Sequence, residues 1–83
     1  MSEIARSAGQ LGAVIREARR AKGFTQMQLG ELTGLRQATI SKIEKGEDTT
    51  RIGTITNVLA ALDLELTVRI RTKFDLNFVD KIF

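Results

Sequence analysis

The stretch from Thr25 to Lys45, TQMQLGELTGLRQATISKIEK, constrains the fold more than any other part of this chain. It reads as two short helices joined by a tight turn at Gly34. Thr25 with Gln28 three residues later fits a capping box, in which each side chain satisfies a backbone donor of the other residue. Gly30 stands inside the first of these helices, where glycine costs about 1 kcal/mol relative to alanine. Its use there argues for two backbones that cross closely. Gly34 supplies the helix stop, and with Leu35 it sets the angle between the helices. The second helix, Arg36 to Lys45, turns Ile40 and Ile43 inward.

The flanking segments complete a small bundle. Leu11, Val14, Ile15 and Ala18 follow helical spacing and predict a helix from about Leu11 to Lys22, ended by Gly23. Met27, Leu29 and Leu32 are the expected buried side of the next helix. A fourth helix is expected near Arg51 to Leu62, capped by the Asp48–Thr49–Thr50 loop and buried along Ile52, Ile55, Val58, Leu59 and Leu62. After Asp63 the period changes to two: Leu64, Leu66, Val68 and Ile70 alternate with Glu65, Thr67, Arg69 and Arg71, as in a strand. A lone strand leaves its ladder groups unpaired. Pairing with the same strand of a second copy solves this, since two-fold symmetry is the commonest oligomer symmetry; a hairpin with the tail is the alternative. The tail holds Phe74, Phe78 and Ile82, and either folds back over such a sheet or stays open to a partner. The expected organisation is a flexible arm (1–10), a helical domain (11–63), a dimerising strand (64–73) and an apolar tail (74–83).

Composition excludes several functions. Eighty-three residues make one small domain. Without cysteine there is no disulfide, thiolate metal site or thiol nucleophile, and without histidine the commonest general base and metal ligand is missing. The acids are scattered, with no nucleophile beside a base, so neither an enzyme nor a cofactor site is expected. Glu44 reads as the structural partner of a nearby basic residue. No apolar run is long enough for a membrane and no signal peptide is visible, which fits a reducing cytoplasm.

Charge points the other way, toward a polyanion. The net charge is only +3. Yet Arg16 to Lys45 carries seven basic residues against three acids, while Gly46 to Val68 carries four acids against Arg51 alone. A positive face on the helix pair suits nucleic acid. Arg36, Gln37, Ala38, Thr39 and Ser41 form the candidate base-reading set. Gln37 can bond the N6 and N7 edge of adenine, and Ala38 and the Thr39 methyl can pack on thymine methyl groups. Arg19, Arg20, Lys22, Thr25, Gln26, Lys42 and Lys45 are the candidate phosphate contacts. Base-stacking aromatics are missing from this face, which disfavours single-stranded RNA.

LGAVIREARRAKGFTQMQLGELTGLRQATISKIEKGEDTT, with its two glutamines eleven positions apart and its closing Ile-Glu-Lys-Gly turn, resembles the helix-turn-helix family of phage repressors, Cro proteins and xenobiotic-response-element-type regulators. The resemblance runs from Leu11 to Leu64 and implies a mostly α, lambda-repressor-like bundle of four to five helices. Within that family, RQATIS followed by LDLELTVRI is similar to HipB-type antitoxins. That resemblance implies a homodimer with an intersubunit sheet from the C-terminal strands, binding palindromic operator DNA and repressing its own toxin–antitoxin operon. It also implies a HipA-type serine/threonine kinase toxin as partner and a bacterial, nucleoid-associated location. A stand-alone phage-type regulator shares most of these residues and is the alternative reading.

Overall fold

The computed structural model describes residues 4–70. Four helices make up this part: α1 (Ala8–Ala21), α2 (Gln26–Thr33), α3 (Gln37–Glu44) and α4 (Ile52–Ala61). The first begins earlier than its apolar stripe suggests, because the Ser7 hydroxyl accepts the Gln10 backbone N–H and starts it at Ala8, ahead of Leu11. The α2 cap is the expected box: Gln28 N–H donates to Thr25 Oγ1 at 3.0 Å and Thr25 N–H donates to Gln28 Oε1 at 2.8 Å. The α4 start departs from expectation. Arg51 is its N-cap and no side chain caps it, so the Asp48–Thr50 loop does not do that work.

All four helices end in a left-handed turn; α1, α3 and α4 close it with a pair of backbone bonds to two carbonyls, whereas at α2 two N–H groups share one carbonyl. At α2 the left-handed residue is Gly34 (φ 74°), and Leu35 N–H returns to the Gly30 carbonyl. At α4 it is Asp63 (φ 58°), with Leu64 N–H returning to Leu59 and Asp63 N–H to Ala60. A side chain in this region costs roughly 1–2 kcal/mol. Asp63 also takes a 2.6 Å ion pair from Lys22, which ties the end of α4 to the end of α1.

Ile15, Leu29, Ile40, Ile43, Val58, Leu59 and Leu62 form one buried cluster at the centre of the bundle. Helix α3 packs on both α1 and α2, and α4 packs on α2. Asn57 adds a link by donating to the Thr33 carbonyl at the end of α2. Two of the expected buried residues on α2 are outside: Met27 is 58% and Leu32 59% exposed. The inward face of α2 is Gln26, Leu29, Gly30 and Thr33, which keeps helical spacing, whereas Met27 and Leu32 flank it. Ile52, the first residue of α4, is likewise exposed beyond the packed part of the stripe.

Among the described residues there is no strand. Residues 64–70 leave the bundle with Leu66 and Val68 exposed and Leu64 half-buried against the core. Positions 71–73 of the expected strand, the tail at 74–83 and the first three residues of the arm lie outside the described residues. No described helix is long and apolar enough to cross a membrane.

Candidate nucleic-acid interface

Helix α3 divides cleanly by spacing. Ile40 and Ile43 are buried, while Gln37, Ala38, Lys42 and Lys45 are exposed and Ser41 is half-buried between them. Positions 37, 38, 41, 42 and 45 form one outward strip of an α-helix. Arg36 precedes it as an exposed N-cap whose side chain makes no capping bond. Thr39 is half-buried at the margin. The five candidate base-reading residues, Lys42 and the C-cap Lys45 therefore lie together.

Two glycines place this strip. A Cβ on Gly30 would stand 2.7 Å from the Leu35 carbonyl oxygen, so only glycine lets the turn fold this tightly over α2. Gly12, which sequence reasoning passed over, does the same for α1. A Cβ there would overlap the Ile43 carbonyl oxygen and lie 2.8 Å from that of Glu44. The end of α3 thus rests backbone-on-backbone against α1.

Beneath the strip lies a buried ionic cluster. Arg19, expected on phosphate, is only 8% exposed. Its Nε donates to Glu44 Oε2 at 2.6 Å, its Nη2 to Glu44 Oε1 at 3.0 Å and its Nη1 to the Phe24 carbonyl at 2.7 Å. A guanidinium so engaged is an internal brace, and the phosphate assignment for Arg19 is corrected accordingly. Gln26 joins the same carboxylate, its Nε2 donating to Glu44 Oε1 at 3.2 Å. Glu44 is the structural partner that its position suggested.

Burial would raise the Glu44 carboxyl, but hydrogen bonds from Arg19 and Gln26, with the positive charges of Arg19 and Arg16, hold it below the ordinary glutamate range. A carboxyl depressed in the fold stabilises the protein fully above its unfolded value of about 4.3. That contribution is lost as pH falls below this value and through the lower, folded one. Thermal melts should therefore show stability dropping as pH is lowered from about 5 toward 3. A variant with both Arg19→Met and Glu44→Leu should show a shallower fall. Equal slopes would mean that other carboxylates control acid unfolding.

The remaining candidates are dispersed. Thr25 uses its oxygen as an acceptor in the capping box, leaving its proton to donate. Lys22 is paired with Asp63. Arg20 is exposed on α1 and shares an open groove with Val14, Glu17 and Leu64, on the side where the chain leaves α4.

The HTH_3 family model, described as helix-turn-helix, matches residues 15–68. Antitoxin HipB of Escherichia coli K12 is 36% identical over 59 residues, which cover 71% of this chain and 67% of that protein. Among solved structures, a serine-to-alanine variant of HipB in complex with an O2 20mer superposes with a TM-score of 0.77 at 31% identity, covering 84% of this chain and 97% of that one. A HipA–HipB–O2–O3 complex contains a chain matched with a TM-score of 0.75 at 34% identity, covering 88% of this chain and 100% of that one. With the exposed α3 strip, the Gly34 turn and the capped α2 in place, these likenesses agree along the length of the bundle. The chain belongs to the helix-turn-helix family of xenobiotic-response-element type, in the group that contains the antitoxin HipB.

Proposed function

We propose that this chain is a dimeric, sequence-specific transcriptional repressor and the antitoxin of a HipBA-type operon. The observation that carries the reading is the strip Gln37, Ala38, Ser41, Lys42 and Lys45, exposed on a helix whose opposite side is buried. An amide, a methyl, a hydroxyl and two ammonium groups in one row match the donors, acceptors and methyls of a major-groove edge and the phosphates beside it. Arg36, Gln37, Ala38, Thr39 and Ser41 read bases. Thr25, Gln26, Lys42 and Lys45 hold phosphates, and Arg20 and Lys22 add positive field from the end of α1.

Dimerisation through Leu64, Leu66, Val68 and Ile70 pairs two C-terminal segments into a sheet. It sets two α3 strips against successive major grooves, about 34 Å apart on a palindromic operator. The exposed Leu66 and Val68 of a single chain support this, since pairing would cover them. HipB is similar along the bundle and has been solved with HipA, which supports a HipA-type kinase toxin as the second partner, in the bacterial cytoplasm at the nucleoid.

Gln37→Ala should lower affinity for the operator by about 1–3 kcal/mol per half-site and relax preference at one base position in each half-site. Gel shifts against the DNA upstream of the chain's own gene, with each position of the site varied, measure both. Unchanged affinity and selectivity would remove Gln37 from the reading surface. Lys42→Ala, which removes one phosphate contact from each subunit of the dimer, should instead weaken binding to every sequence alike and reduce the slope of log K against log salt by about 1.8. A base-specific loss without a change in slope would reassign Lys42 from phosphate to base.

A further inference from the structure

The buried acid that ends α3, Glu44, reaches a side chain at the start of α2. Gln26 is the first residue of α2 and is placed among the phosphate contacts, yet one of its amide N–H groups points inward to Glu44 Oε1. The same carboxylate is fixed from the other side by two bonds from Arg19, itself anchored on the Phe24 carbonyl. A glutamine side chain has three rotatable bonds, and ordering it at an interface carries an entropic cost. Here the cost is met during folding, before any DNA arrives. The second amide N–H and the carbonyl oxygen of Gln26 have no other bond among the described residues and stay available.

We propose that Glu44, held by Arg19, is a positioning residue for DNA binding: it pre-sets the Gln26 amide so that its free N–H meets a phosphate without further ordering. This rests on the DNA-binding reading above. The carboxylate never touches the nucleic acid. Its effect passes through Gln26 alone, so it vanishes when Gln26 is removed, whereas a purely structural role would not.

The test is a cycle of full-length variants binding two probes, a duplex from the region upstream of the gene and a random-sequence duplex. Gln26→Ala should weaken binding of the dimer about a hundredfold on both probes, about tenfold from each subunit, as the loss of a hydrogen bond to a charged group does. The double variant Arg19→Met with Glu44→Leu should lose a comparable factor while keeping its melting temperature. Added to Gln26→Ala, it should cost nothing more. Parental affinity in the double variant, or a full second loss in the triple variant, would overturn the proposal. A double variant that fails to fold leaves a direct readout in the unbound parent. The Gln26 side-chain amide should give a high NMR order parameter there, and one typical of a free surface glutamine would overturn the proposal equally. A parent that binds neither duplex would defeat the DNA-binding reading itself, a result distinct from a parent that binds and a double variant that binds equally well.

Discussion

Replacing Arg19 with alanine should destabilise the protein by about 3–5 kcal/mol, because it strands a carboxylate whose side chain is only 3% exposed. The loss comes less from the missing attraction than from the acid left behind. Glu44 would keep the single bond from Gln26 and would face the interior without a counter-charge. Removing both partners should behave differently. With Arg19→Met and Glu44→Leu together, apolar groups of similar volume fill the site, and such exchanges are often neutral or stabilising. Urea unfolding of Arg19→Ala and of the double variant separates these cases. If Arg19→Ala loses less than about 1 kcal/mol, the pair is solvated in solution and the brace is not one.

Placing valine at Gly12 should cost about 3 kcal/mol, the upper end for overpacking, and should lower DNA affinity in the molecules that still fold. The clash is with carbonyl oxygens of Ile43 and Glu44, main-chain atoms that no rotamer change can move aside. Either α1 or α3 must shift. A shift of α3 carries Gln37, Ser41 and Lys42 with it, so affinity measured per folded molecule should also fall. Ala13→Val, on the exposed side of the same helix, is the control and should cost only the propensity difference of a few tenths of a kcal/mol. Matching losses at 12 and 13 would show that the helices have room to part.

Much of the bundle was legible because spacing and chemistry agreed. Thr25 and Gln28 announced a cap, Gly30 a close approach, Gly34 a turn, and Ile40 and Ile43 the inner side of α3. Hydrophobicity misled where it was read without spacing. Met27 stands two residues before Leu29 and Leu32 two residues after Gly30, and a step of two crosses to the far side of a helix from each member of that buried pair. Arg19 carried the opposite signal. It lies four residues beyond Ile15 on the inward side of α1, where a cation requires an acid, and Glu44 was the acid to match it with. Gly12, three residues before Ile15 on that side, marks the contact with α3, a contact between distant segments that local pattern cannot reveal. The candidate site was readable as a set of residue types. Which arginine was spent inside and which cations remained outside depended on the packing. The segment from Leu64 to Ile70 shows its alternation in the sequence, but a ladder needs a second strand.

The orientation of α3 is fixed by the main-chain contacts of Ile43 and Glu44 with Gly12 and by the side chains of Ile40 and Ile43, none of which belongs to the outward strip. Frame and text are therefore written in different letters. On the proposed reading, exchanging Gln37, Ala38 or Ser41 would redirect the protein to a new site without loosening the domain that presents them, leaving lineages of this fold free to diverge in target while keeping one skeleton.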